Sequence, residues 1–259
     1  MAKNKVTVDG TTIIDLSTTG IESAADIPAG KYGYLRTGER VLGTGENMSN
    51  PLSGKILAAN GDSISAGAGN NGIGYADLIG TANNMTVQNI SVGGATIATG
   101  TVAPHYISTS ISDMRSDADY ILLEGGVNDA DYHVTLGTLS EDYDETLNTG
   151  TFAGAFETML KNALARFPGK KIGYIFVHKI NGNFDSRTTG SYYNIAKAAC
   201  EKWGVPYCDL NTTVPPLGYI DAYRTAYTNS GDGFHPNAAG YNAFYVPLIT
   251  AWLKNNMLS

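Results

Sequence analysis

Cysteine is scarce in this chain of 259 residues: there are two, Cys200 and Cys208. Two cysteines cannot frame a disulfide scaffold in a chain this long. With no CxxC pair and four scattered histidines, they do not compose a zinc site either. Two buried free thiols are the expected state, with a single Cys200–Cys208 bridge as the alternative. Charge is sparse as well. Charged residues make up 16% of the chain, the formal net charge is −7, and no Lys/Arg cluster occurs. Counterion release from phosphates drives nucleic-acid binding and needs a basic face, so no nucleic-acid partner is expected. An anionic membrane surface would be repelled for the same reason. No apolar run approaches the roughly 20 residues of a membrane span, and the first nine residues lack the apolar core of a signal peptide. The expectation is a soluble chain without the usual export signal.

What is present argues for a folded globular protein. Hydrophobic residues reach 42%, with 16 tyrosines and 31 glycines. Low charge and many aromatics exclude the disordered class. The length allows one large domain with a small appendage.

The first fifty residues differ from the rest. Lys5–Val8 and residues 11–16 look like short strands around an Asp9-Gly10 turn, and Ile27-Pro28-Ala29-Gly30 and Gly43-Thr44-Gly45 punctuate further short β segments. We divide the chain into a β-rich appendage, 1–50, and a main domain, 51–259. In the main domain, apolar runs at Ile56–Asn60, 86–91, 120–124, 171–177 and 205–209 predict five strands. Helical periodicity marks 152–167, Ser191–Trp203 and 237–254, with Pro236 at a helix start. Such alternation predicts a parallel sheet covered by helices, with ligands at the carboxyl ends of the strands. Residues 131–150, rich in acids, Thr and Gly, read as an insertion or lid.

Four short blocks fall at predicted strand ends or helix starts: Gly61-Asp62-Ser63-Ile64, residues 89–96 (Asn-Ile-Ser-Val-Gly-Gly-Ala-Thr), Gly126-Val127-Asn128-Asp129, and Asp232-Gly233-Phe234-His235-Pro236. A serine becomes nucleophilic when a base takes its proton, and that base must be held by an acceptor on its other nitrogen. Asp232 and His235 are three residues apart, with Gly233 allowing a tight turn between them. A tetrahedral intermediate needs donors already aimed at its oxygen; a glycine N–H at Gly94, the Asn128 amide and the Ser63 N–H can supply them. The expected catalytic residues are Ser63, Asp232 and His235. The expected oxyanion hole is Ser63, Gly94 and Asn128.

These blocks, in this order, resemble the GDSL/SGNH hydrolase family: a GDS serine, a second-block glycine, a GxND asparagine and a late DxxH pair. Gly94 rather than Gly93 fits the family's glycine, which follows the second-block Asn, here Asn89, by five positions. The resemblance runs from about Lys55 onward. It implies an α/β fold, a three-layer α/β/α sandwich with a flavodoxin-like parallel sheet, and ester hydrolysis with no metal or organic cofactor. Ser65 breaks the G-x-S-x-G elbow of ordinary α/β-hydrolases. The stretch running from Ile27 to about residue 45 is loosely similar to short repeats of phage tail and baseplate proteins. That similarity implies a virion or prophage component acting on surface glycans and a possible trimer; otherwise a cytoplasmic enzyme is expected.

Tyr132, His133 and Phe234 are candidates for lining the substrate pocket. Asp62 and Asp129 are expected to brace their loops. His105 and His178 read as ordinary hydrogen-bonded histidines, and Tyr192, Tyr193, Tyr241 and Tyr245 as packing residues. The leading reading is a serine esterase acting on short acyl groups, O-acetyl on a carbohydrate, with a small acyl ester or acylated glycan as partner. A lipase or thioesterase for longer chains, and a non-catalytic glycan-binding protein on an esterase scaffold, are the alternatives. Loss of a triad residue would mark the last, and none is lost.

Overall fold

In the computed structural model, residues 5–8, 11–15, 23–27, 31–42, 50–180 and 190–256 are described. The chain divides into two compact units, Met1–Ser53 and Gly54–Ser259.

The first unit holds two antiparallel hairpins. Strands β1 (Lys5–Val8) and β2 (Thr11–Asp15) pair with an irregularity between Val6 and Thr7. The Asp9-Gly10 turn and residues 43–45 lie outside the described residues, as do Pro28–Gly30 by number. Strands β3 (Tyr32–Tyr34) and β4 (Arg40–Leu42) pair around a tight turn in which Gly38 takes a left-handed φ of 84°. The Arg40 guanidinium covers the Tyr32 ring at 4.1 Å.

The second unit is built on strands β5 (Ile56–Asn60), β6 (Thr86–Asn89), β7 (Tyr120–Leu123), β8 (Lys171–Phe176) and β9 (Tyr207–Asp209). All four pairings are parallel and the order is β6-β5-β7-β8-β9. This is the flavodoxin-like order, and it reverses between β5 and β7, where such sheets hold their ligands. The central strands are apolar and buried on both faces because helices cover both. Register places Ala58, Ile121 and Ile172 side by side on one face, where they join a core with Phe152, Phe156, Leu160 and Ala196 of helices Phe152–Arg166 and Ser191–Trp203. The helices Tyr75–Asn83 and Val246–Asn256 pack together in the other layer. Gly80 lets the first of these approach β6: a Cβ there would lie 2.1 Å from a Val87 methyl carbon.

Several elements depart from the periodicity. The regular strand of the 86–91 run ends at Asn89, whose side chain accepts the Ser91 amide at 3.2 Å, while Ile90 and Val92 still donate to the Ala59 and Gly61 carbonyls. The last strand begins at Tyr207 because Val205 still bonds to Cys200 of the preceding helix and Pro206 has no N–H to donate. The 237–254 helix is three pieces, Ala238–Gly240, a π-turn at Tyr241–Tyr245, and Val246–Asn256. Pro247, lacking a donor, sits just after the π-turn. Residues 132–150 form no helix or strand. They lie on the outer helices: Tyr143 stacks edge-on with Trp203 at 5.1 Å, and Ser140 bonds to Glu157. Of the segment 131–150, Asp131 lines the cavity at Ser63, while the rest lies outside that lining and is anchored as an insertion. Cys200 and Cys208 are free and buried. Burial, followed by the Asp209 charge, pushes the Cys208 thiol up to about 12.

Candidate active site

The turn that carries Ser63 begins where β5 ends. Asp62 caps the short helix Ser63–Ala66, its Oδ1 accepting the Ile64 amide at 2.9 Å. Gly61 is required by space: a Cβ there would sit 2.5 Å from Ser65 Oγ and 2.7 Å from Glu124 Oε2. Asn89, at the end of β6, donates through Nδ2 to the Ser65 carbonyl at 2.9 Å and to Asp77 at 3.0 Å. The second sequence block thus braces the first.

The late block forms a closed loop. Asp232 Oδ1 accepts the amides of Phe234 at 2.8 Å and His235 at 3.0 Å, while its Oδ2 lies 2.9 Å from His235 Nδ1. Gly233 takes φ 72° and donates its amide to Thr228 Oγ1 at 2.9 Å. Pro236 precedes the helix instead of opening it; Asn237 is the cap, accepting the Gly240 amide at 3.0 Å. His235 Nε2 reaches Ser63 Oγ at 3.0 Å, across 172 positions of sequence. Oγ, imidazole and carboxylate therefore form one continuous chain.

The other blocks close over this chain. Gly94 has φ 80°, and a Cβ on Gly93 would stand 3.8 Å from the Ser63 Cβ. Gly126, at φ 91°, leads into the one-turn helix Val127–Asp131 that carries Asn128. Asn128 Nδ2 donates one hydrogen to the Ala95 carbonyl at 2.9 Å. An amide nitrogen carries two, so one remains for a ligand. Asp129 is buried and accepts the Ile97 and Ala98 amides at 2.9 and 2.8 Å. Burial raises its carboxyl to about 7 despite those two bonds.

Ser63, Gly93, Gly94, Asn128, Asp232 and His235 border one cavity of about 530 Å³, whose remaining walls are Asp131, Ile180 and Phe234. Phe234 is thus where the sequence places it, its ring 4.4 Å from that of His235. Tyr132 and His133 are exposed and outside the lining; His133 sits in a left-handed turn at φ 53°. His178 is fully buried. Its Nδ1 contacts Tyr245 Oη at 2.7 Å, and burial lowers its pKa to about 4. Tyr241, from the same π-turn, donates to the Ile64 carbonyl at 2.6 Å, so this turn supports the nucleophile and His178 together. Sequence reasoning passed over Glu124, Asp131 and Ile180. Glu124 had a signal: an acid directly after the apolar run of a buried strand. Among the described residues, no group of three or more His, Cys, Asp or Glu is placed to hold a metal, and no helix is long and apolar enough to cross a membrane.

A serine held by an imidazole–carboxylate pair at the switch point of a flavodoxin-like sheet defines the class of α/β/α hydrolases. The chain belongs to the GDSL-like Lipase/Acylhydrolase family, whose model matches residues 59–243. Among solved structures, a protein from Lactobacillus plantarum is 24% identical with a TM-score of 0.68, the match covering 80% of this chain and 99% of the other. A family two carbohydrate esterase from Clostridium thermocellum, in complex with cellohexaose, is 18% identical with a TM-score of 0.53, covering 85% and 68%. Phospholipase A1 from Streptomyces albidoflavus NA297 is 16% identical with a TM-score of 0.52, covering 77% and 99%. No curated protein matches the chain.

Proposed function

We propose that residues 51–259 form a serine esterase that removes short acyl groups, O-acetyl in the first instance, from a carbohydrate. The observation that carries this reading is the Ser63–His235–Asp232 chain, 3.0 and 2.9 Å, opening into a cavity with Asn128 and Gly94 on its wall. His235 takes the Ser63 proton as Oγ attacks the ester carbonyl, and Asp232 stabilises the imidazolium. The Ser63 and Gly94 amides and the Asn128 side chain hold the oxyanion. His235 then protonates the departing alcohol, and water frees the acid by the reverse sequence. The carbohydrate assignment leans on the low charge of the chain and the likeness to a carbohydrate esterase. The likeness to a phospholipase makes longer acyl chains the competing reading.

The test is hydrolysis of p-nitrophenyl acetate, butyrate and octanoate, and of acetylated xylan, by the wild type and Ser63→Ala. Acetate and xylan turnover that vanishes in Ser63→Ala supports the proposal. Preference for octanoate moves the assignment to lipids, and turnover that survives in Ser63→Ala removes Ser63 as nucleophile. The loose likeness of residues 27–45 to tail and baseplate repeats adds a second reading, that the N-terminal unit attaches the enzyme to a particle as a trimer. Light scattering of the intact protein decides it: a monomer ends that reading.

A further inference from the structure

Two carboxyl groups stand behind the nucleophile turn, and both are fully buried. Glu124 Oε2 accepts the Asp62 amide at 3.1 Å and the Ser65 hydroxyl at 2.8 Å. Asp62 Oδ1 accepts the Ile64 amide at 2.9 Å. Two oxygens are left over, Asp62 Oδ2 and Glu124 Oε1, each buried without a hydrogen-bond partner. The two carboxyl groups are neighbours, tied through the Asp62 amide, and each acts electrostatically on the other. Two neighbouring carboxyl groups, both out of water and without a cation beside them, do not both ionise, and a proton held by the pair is the donor that the orphaned oxygens otherwise lack.

The titratable groups around the pair come from several elements. His235 faces Asp62 from the late loop, and Asp129 interacts with Asp62 from the turn after β7. The phenols Tyr75, Tyr241, Tyr245 and Tyr174 surround Glu124 from the helices and from β8, and no lysine or arginine is among these groups. Burial first, then the Asp62 charge, pushes Glu124 well above the usual carboxylate range.

We propose that Glu124 is a positioning residue for the reaction: it shares one proton with Asp62, and the resulting singly charged pair locks residues 61–65 so that Ser63 Oγ meets His235. The absence of a side chain at Gly61 is the space Glu124 and Ser65 occupy, which gives the first residue of the GDS block a role beyond turning the chain. The inference rests on the esterase reading for its kinetic part and on the geometry alone for its proton.

The experiment compares wild type, Glu124→Gln and Glu124→Ala. At pH 7 the infrared difference spectrum, wild type minus Glu124→Gln, contains the C=O band of a protonated carboxyl group; its absence overturns the shared proton. On p-nitrophenyl acetate, Glu124→Ala lowers kcat about a hundredfold while KM changes less than about threefold, the signature of a misplaced nucleophile. Glu124→Gln can accept the same two donors and donate to Asp62, and it restores kcat to within about tenfold of wild type. A Glu124→Gln enzyme with native thermal stability but the slow turnover of Glu124→Ala overturns the positioning role, and so does a fully active Glu124→Ala. If Ser63 proves not to be a nucleophile, the kinetic role falls with it, while the infrared band still decides the shared proton.

Discussion

Asn128 and Asp129 are adjacent in sequence and hold one loop between them, Asn128 through the Ala95 carbonyl and Asp129 through the Ile97 and Ala98 amides. The GxND block and the glycine of the second block are therefore one mechanical unit. Any change to Asp129 is transmitted to the donors beside Ser63.

Asp129→Asn replaces one accepting oxygen with an amide that confronts a backbone N–H. We expect a loss of about 1–3 kcal/mol of stability, the cost of a buried donor left unmade. Denaturant unfolding at pH 7 measures it; an unchanged midpoint would show that the loop does not depend on this carboxylate.

Two buried groups give stability opposite slopes with pH. Asp129 is raised from an ordinary 3.8 to about 7, so its contribution is full below pH 3.8 and is lost as pH rises to about 7. His178 is lowered from 6.5 to about 4, so its contribution is full above pH 6.5 and is lost as pH falls to about 4. In melting curves between pH 4 and 6.5, Asp129→Asn should steepen the loss of Tm on acidification, and His178→Gln should flatten it. Parallel wild-type and variant curves would contradict both assignments.

In the proposed mechanism Asn128→Ala removes a donor whose contact strengthens as the oxyanion forms. The expected result is a fall in kcat of about 100–1000-fold with KM little changed. A rise in KM at constant kcat would reassign Asn128 to ground-state binding.

Asp232→Asn keeps a side chain of the same size but offers His235 Nδ1 no carboxylate, so the imidazole can hold the wrong tautomer. A loss of about 10²–10⁴ in kcat is expected. Turnover within a factor of about three of wild type would mean that another group orients the imidazole.

Gly61→Ala places a methyl group against Ser65 and Glu124. Overpacking of a buried site typically costs about 1–3 kcal/mol, and here the shift falls on the nucleophile turn. We expect lower Tm and lower kcat together; wild-type values for both would show that the turn can yield.

The sheet and its residues were legible because a doubly covered parallel strand has to be an apolar run, and three of the five runs here lead into a chemical block. Ile56–Asn60 and Gly61-Asp62-Ser63 show this directly. What escaped was decided by contacts that no local pattern encodes. The π-turn at Tyr241–Tyr245 depends on Pro247 and on two phenols reaching Ile64 and His178. The insertion after Asp131 carries the composition of a lid, yet Trp203 and Glu157, far along the chain, bind it to the outer helices. Asp131 and Ile180 became walls of the cavity through the meeting of separate loops, which single-sequence periodicity cannot bring together.

The 172-position span between Ser63 and His235 has a temporal side. In the proposed mechanism Ser63 is the nucleophile and His235 its base, so a ribosome makes the first early and the second late. Until residues 232–235 and the anchoring helices after Asn237 have emerged, the half-made chain holds a serine without a proton acceptor. On that mechanism a polypeptide still under synthesis is chemically silent toward esters, and the onset of activity in a stalled-chain series would time the completion of the fold.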